Sequence, residues 1–503
     1  MSLTRKMFSN SFYLFLDLLV VNFFGLIFWL FNGRFLIPKE LGIVSTSINL
    51  ALLLSSLSLI GFQGVLQKLI PEYLEKKQHS KIVSLSRFTL KVILISNTTI
   101  FLILIVFSLP IQSLLNLPEK ALTFSSFLLL SFTFSNFFGY IMLGFQNMRT
   151  FFTTDLIGVM TKLLLTTILL FLGFGYTGPL IGVLIGYILI DLRRFRKSWF
   201  FPSSEEKING REIFFDYALP YFTSLVAGLA FSNLQILLLA SLKGQYVTGG
   251  YSMALLIASI ISIIPSVLSQ ALFPIISQLS VGRKVKKQSY LTQLVLRYAL
   301  FVMLPLATAL IFFSKPILLL LRREYIEVTC ILSILTIASL LFGLGQLFLS
   351  TLYAVGKTKL NRNIWVASAL IFLLISSILI KLYSAQGLAI SYTSASLIFL
   401  FLGYHYLKKT LIFRIDWRNL LKLVIPFILL FLFFYFADTI QASLLIKIIF
   451  AVFGGFVYLL TLIPLRFYKK EDLKILHIIL EKLPIMRKQF LAFLKWFSKY
   501  VQK

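Results

Sequence analysis

Residues 42–69 read GIVSTSINLALLLSSLSLIGFQGVLQKL and carry no charge before Lys68. About 20 mostly apolar residues suffice for a helix to cross a bilayer, so this stretch is long enough to span one. Working outward, fourteen such stretches appear, at 8–32, 42–69, 83–108, 121–144, 150–173, 176–192, 213–242, 249–279, 290–314, 325–354, 363–382, 385–407, 421–438 and 442–466. The first carries Asp17, is too long for a signal peptide and leads straight into another span, so it reads as a retained helix. The whole chain of 503 residues is 58% hydrophobic and 13% charged, with a mean hydropathy of +0.92. That composition excludes an ordinary globular protein. The expected fold is all-α, a polytopic membrane protein with about fourteen transmembrane helices.

The formal charge of +30 is distributed by side. With a cytoplasmic N-terminus, 37 of the 48 Lys and Arg fall in inner segments and 9 in outer ones; Lys162 and Arg297 lie inside spans. The excess of basic residues in inner loops orients membrane proteins, which places both termini in the cytoplasm; the expected location is the plasma membrane. The positive charge therefore reports topology and contact with anionic membrane lipids, and no nucleic-acid partner is expected. The single cysteine, Cys330, excludes disulfide frameworks and cysteine zinc sites; His79, His405 and His477 are too scattered for a metal site.

The loops repeat their punctuation. A turn ending at Gly42 and another at Gly250 each open a long span that runs into a basic loop, at Lys76-Lys77 and at Arg283-Lys284. Gly144 is then matched with Gly356, and Gly178 with Gly387, at offsets of 207 to 212 residues throughout. A near-constant shift over six spans argues for duplication. Because six is even, both copies enter the membrane in the same direction, a parallel repeat. The expected organisation is an N-terminal lobe of spans 1–6 (residues 1–210), a C-terminal lobe of spans 7–12 (211–420), two extra spans (421–468) and a tail (469–503). In that tail, Met486, Phe490, Phe493, Phe497 and Tyr500 recur at helical spacing opposite Lys488, Lys495 and Lys499, a basic amphipathic helix suited to the inner membrane surface.

Several of these marks resemble the polysaccharide-biosynthesis (oligosaccharide flippase) family, in the superfamily that also holds MATE drug exporters and lipid II flippases. They are Pro38-Lys39-Glu40-Leu41-Gly42, Gly61-Phe62-Gln63-Gly64 with Leu69-Ile70-Pro71-Glu72-Tyr73, Gly144-Phe145-Gln146, Tyr217-Ala218-Leu219-Pro220 and Gly356-Lys357-Thr358-Lys359. The resemblance implies a flippase that moves a lipid-linked oligosaccharide, on a polyprenyl phosphate or pyrophosphate carrier, from the inner to the outer leaflet by alternating access. Its implied partners are membrane lipids, that substrate, and glycosyltransferases or a polymerase of the same pathway. Relatives often carry an acidic residue late in span 7, where this chain has Ser232-Asn233-Leu234-Gln235. A coupling scheme that needs a carboxylate there is therefore in doubt.

Ionisable groups at bilayer depth cost at least about 2.5 to 3.5 kcal/mol and mark paths or pairs. Lys162 and Arg297, helped by Arg34 and Lys91, are the candidate anion-binding residues of a substrate path, since ammonium and guanidinium groups are donors to phosphate. Asp17 and Asp155 are candidates for H+ or Na+ coupling or for pairing with Lys162, which lies on the Asp155 face of its helix. Snorkelling to headgroups is the competing account of Lys91 and Arg297. Among the amides, Asn22, Gln63, Gln67, Asn233 and Gln235 are candidates to line a cavity that handles sugar hydroxyls, with interhelical bonding as the competing use.

Two other classes fit less well. A membrane enzyme of lipid-linked sugars would need clustered carboxylates or large outer loops, and the chain has neither; it also lacks a Walker A loop, so no catalytic residues and no cofactor are expected. A cation-coupled multidrug exporter of the same fold is the nearer alternative, with Asp17 as its acidic residue.

Overall fold

The computed structural model describes residues 3–198, 206, 208–282, 284–439, 444–465 and 467. The basic amphipathic tail expected at 469–503 lies outside the described residues, as do Pro202 to Glu205 of the linker. Every regular element described is helical. The first half of the chain contains α1 (Leu3–Phe35), α2 (Pro38–Ser58), α3 (Phe62–Glu75), α4 (His79–Val106) and α5 (Ser108–Leu115). It continues with α6 (Glu119–Gly144), α7 (Met148–Phe171) and α8 (Thr177–Ser198). The second half opens with the short α9 (Gly210–Glu212), a π-helical turn at Ile213–Ala218, α10 (Leu219–Ser232) and α11 (Leu234–Val281). After these come α12 (Val285–Phe312), α13 (Ser314–Leu321), a 3-10 turn at Arg323–Val328, α14 (Thr329–Ala354) and α15 (Thr358–Leu411). Helices α16 (Trp417–Leu421), α17 (Val424–Thr439) and α18 (Leu444–Thr461) end the described chain.

Local chemistry sets the boundaries. Pro38 starts α2 where its fixed φ suits a first helical turn, behind an extended Ile37. Asn147 caps α7 by accepting from the Thr150 amide at 3.3 Å. Asn116 closes α5 in the left-handed conformation, φ 51°. Leucine and valine side chains such as Val106 (72% exposed) and Leu109 (76% exposed) face outward, which suits lipid and not water.

Eleven helices among the described residues are long and apolar enough to cross a membrane. Fourteen stretches were expected. The numbers differ because α15 runs through a break at Ser384 (φ 53°) and so joins two expected stretches, and because α8 and α18 fall outside that set. Helix α11 also runs through a break, at Gly244 (φ 79°), but its first part belongs with α10 to one expected stretch. The sequence also merged α2 with α3, which Ile60 (φ 47°) and Gly61 (φ 82°) separate.

The duplication appears element by element. Helices α4 and α12 begin 206 residues apart, as do α5 and α13; α6 and α14 begin 210 apart, as do α7 and α15. Two sequence matches are corrected by this register. The counterpart of Gly42 is Gly249, not Gly250, and the counterpart of left-handed Gly356 (φ 85°) is Gln146 (φ 57°), not Gly144. A Cβ on Gly42 would stand 1.9 Å from the Gln245 carbonyl oxygen, and one on Gly249 would stand 1.8 Å from the Pro38 oxygen. Glycine is required at both positions because α2 and α11 cross backbone to backbone. Beside the crossing, Ser45 Oγ donates to Ser252 Oγ at 2.8 Å.

Equivalent pins secure the same end of the bundle as this crossing. Asn116 Nδ2 donates to the Ala240 carbonyl at 3.0 Å, and Arg322 Nη1 donates to the Phe35 carbonyl at 3.1 Å. Each side chain thus satisfies a carbonyl near a helix C-terminus in the opposite half. The halves differ where α17 and α18 pack on α12, with Tyr458 Oη donating to the Phe301 carbonyl at 3.2 Å. Lys91 and Arg297 are equivalent at the 206-residue offset, yet Lys91 is exposed and Arg297 is 3% exposed. Asp416 and Asn419, at α16, and Phe467 lie against Arg297.

Candidate functional site

Two cavities carry the polar chemistry of the membrane core. The first lies within the first half, measures about 230 Å³, and is bordered by Asp17 on α1, Asp155 and Lys162 on α7, and Tyr187 and Arg194 on α8. Arg194 is its centre of connection. Its Nη2 pairs with Asp155 at 2.6 Å, Nη1 donates to the Ser135 carbonyl at 2.8 Å, Nε donates to Thr154 Oγ1 at 3.2 Å, and the guanidinium lies 4.6 Å from the Phe151 ring. The Asp17 carboxyl sits beside that of Asp155. One turn away, Ser131 donates to Asp191 at 2.6 Å.

Sequence reasoning missed Arg194, placing it in a basic inner linker with Arg193, Arg196 and Lys197. Those three are exposed, whereas Arg194 is 4% exposed, because α8 runs two turns further than the apolar stretch. The signal that finds it is periodic: Tyr187, Ile190, Asp191 and Arg194 share one helix face. The expected pairing of Lys162 with Asp155 or Asp17 is not what this cavity contains, since Arg194 takes Asp155. Lys162 instead places its Nζ 4.5 Å from the Phe28 ring and forms no ion pair among the described residues. A cation over an aromatic face is stabilised by the ring quadrupole.

The second cavity lies between the halves. It measures about 340 Å³, within the about 300–1,000 Å³ range of small-molecule pockets. None of its sixteen lining residues is Asp, Glu, Lys, Arg or His. One wall is hydroxylic, with Ser45 and Asn49 on α2 facing Ser252, Ser259 and Ser262 on α11. Spacings of four on α2 and of seven and three on α11 keep these groups on single faces. The other wall is aromatic: Phe231 is stacked on Phe342 at 5.5 Å between ring centres, with Tyr392 5.0 Å and Trp365 6.1 Å away.

At the upper edge of this cavity, α10 gives way to α11. Asn233 marks the break and reaches across the halves, donating to Asn49 Oδ1 at 3.3 Å. Gln235 is buried with both ends used, donating to the Ser232 carbonyl at 3.0 Å and accepting from Tyr251 Oη at 2.9 Å. At the position where the family resemblance implies an acidic residue, this chain has an amide network.

The other candidates are scattered. Arg34 is exposed and donates to the Leu321 and Leu320 carbonyls at 2.8 and 3.2 Å, tying α1 to α13. Arg297 borders a recess of about 30 Å³ beside Asp416 and Asn419, with Phe467 5.3 Å from its guanidinium. Asn22 and Gln67 are exposed, and Asn22 bonds to its own helix at Leu18. Gln63 is buried at the start of α3. Lys162, Asp17 and Asp155 share a cavity, and Asn233 and Gln235 adjoin the central one, but neither cavity includes Arg34, Lys91 or Arg297.

Two alike helical halves around a polar cleft define the class: an integral membrane protein with the fold of lipid flippases and drug exporters. The chain is similar to the lipid II flippase MurJ in an inward closed conformation, with a TM-score of 0.71 and 19% identity over 90% of this chain and 98% of that one. It is also similar to an inward-facing multidrug resistance MATE transporter of the MOP superfamily, with a TM-score of 0.64 and 14% identity over 77% of this chain and 94% of that one. A curated relative, the capsular polysaccharide biosynthesis protein CapF of Staphylococcus aureus, is 28% identical over 201 residues, 40% of this chain. The match spans half the length of that relative. Residues 220–379 match the MatE family, and residues 7–280, more than half the chain, match the polysaccharide biosynthesis protein family. The chain belongs to the polysaccharide biosynthesis protein family.

Proposed function

We propose that this protein is a flippase for a lipid-linked oligosaccharide, moving the glycan on a polyprenyl phosphate or pyrophosphate carrier to the outer leaflet of the plasma membrane by alternating access between two lobes, with both termini cytoplasmic. The observation that carries this reading is the cavity between the halves, where a hydroxylic wall faces an aromatic one and no charged side chain intervenes. Sugars present hydroxyl edges and apolar ring faces, so a cavity of this composition meets both surfaces of a glycan. Lys162 is the proposed phosphate contact, because it is the basic candidate that borders a roomy cavity without an ion pair among the described residues.

The reading is tested by reconstituting the protein in liposomes with a fluorescent polyprenyl-pyrophosphate oligosaccharide and measuring leaflet exchange by quencher accessibility. Exchange that falls severalfold in Lys162→Ala and in Trp365→Ala, with normal insertion, is the expected result. A second reading, a cation-coupled drug exporter, draws on the adjacency of Asp17 and Asp155. It predicts efflux of a small cationic dye down an imposed ion gradient, lost in Asp17→Asn, with no movement of the lipid.

A further inference from the structure

The hydrogen-bond directions in the central cavity say more about the glycan than its composition does. Ser45 donates its proton to Ser252 at 2.8 Å, and Ser259 and Ser262 donate theirs to the carbonyls of Leu256 and Ser259 at 2.7 and 2.8 Å. Ser232 donates to the Asn233 side-chain oxygen at 2.6 Å. Asn49 gives its amide to the Ser45 carbonyl at 2.9 Å, and both ends of Gln235 are used. A hydroxyl that donates backward to its own helix still has lone pairs to offer. Ser45, Ser259 and Ser262 therefore present acceptors, while Ser252, which accepts from Ser45, keeps its own proton to donate.

A wall rich in acceptors suits a ligand made of donors, and each free sugar hydroxyl is one. To an ionised carboxylate or phosphate, which accepts only, the cavity offers neutral donors and no charged one. With no cation among the lining residues, such an anion would give up its hydration without gaining a charged partner, and burying an uncompensated charge is costly. Building on the flippase reading, we infer that the transported glycan is uncharged in the segment that occupies this cavity, and that Ser45, Ser259 and Ser262 set this selectivity by accepting hydrogen bonds from neutral sugars in a cavity without a cation. The carrier phosphate would then lie outside the cavity.

The test uses three fluorescent undecaprenyl-pyrophosphate trisaccharides: one of neutral hexoses, one in which a hexose C6 alcohol is replaced by a carboxylate, and the methyl ester of that acid. Leaflet exchange is measured for each in liposomes containing the full chain. The neutral and ester probes are expected to cross at similar rates and the acid at least tenfold more slowly, with Ser259→Lys narrowing the gap by supplying a cation. Ser262→Arg is a second route to the same outcome should Ser259→Lys fail to fold. Equal rates for neutral and acid probes, or an ester as slow as the acid, would overturn charge selectivity while leaving the flippase reading intact. A gap that neither variant narrows would remove its assignment to these serines. Failure of all three probes to cross would overturn the flippase reading and this inference with it.

Discussion

Arg194→Gln would leave Asp155 in the membrane core without its guanidinium. Removing one partner of a buried ion pair typically costs about 3–5 kcal/mol, and here the Ser135 and Thr154 contacts are lost as well. A marked fall in melting temperature in detergent is expected, with partial recovery in Arg194→Gln/Asp155→Asn, where no charge is stranded. Arg194→Lys should rescue poorly, because an ammonium cannot reach these partners in a fixed fork. The sequence made Asp155 and Lys162 visible since each is a charge within an otherwise apolar run. Arg194 was hidden by its neighbours: in a cluster of basic residues, only helix phase separates the one that turns inward from those that meet headgroups. The central serines were hidden for another reason. Serine is common in membrane helices, and which ones share a cavity depends on how α2 and α11 cross.

At the scale of elements, the motifs behind the family resemblance touch one another. A Cβ on Gly61 would stand 2.1 Å from the Ala218 carbonyl oxygen, Gly64 packs on the Tyr221 ring, and Lys68 Nζ lies 4.3 Å from the Tyr217 ring. Gly61 also holds φ at 82°, where an L side chain is strained. Gly61→Ala should therefore destabilise more than an ordinary helix-end substitution, by about 1–3 kcal/mol from overpacking and backbone strain together, read as a lowered melting temperature. The opposite change is expected at Gln146, a left-handed residue after α6 whose counterpart is glycine. Gln146→Gly should stabilise by about 1 kcal/mol, measurable in the same assay. Helix placement was legible from hydropathy because each span needs its own apolar run. The breaks at Gly244 and Ser384 were legible too, since they fall between expected stretches; the break at Gly61 was not, since a long apolar run looks the same whether or not the backbone kinks within it.

For the whole molecule, the reciprocal crossing of α2 and α11 holds the halves together at one end of the bundle. Alternating access requires that contact to open. In a Cys330→Ser background, Ser45→Cys/Ser252→Cys places two sulfurs where the oxygens stand 2.8 Å apart, close enough for a disulfide after slight adjustment. Oxidation should abolish lipid exchange and a reductant should restore it; exchange unaffected by the crosslink would contradict a rocking mechanism. The repeat itself was legible from loop punctuation, but its register was not, because the offset changes from 206 to 210 residues between α5 and α6 and a fixed shift selects the wrong glycine. The seam has a further consequence. Gly42 meets Gln245 as Gly249 meets Pro38, so the same patch is used twice in reverse, the isologous arrangement of a two-fold dimer. A covalent linker adds effective concentration to such a contact without creating it. Residues 1–210 and 211–503 produced as separate chains should consequently reassemble in one membrane, detectable by co-purification, and Gly42→Leu should prevent them from doing so.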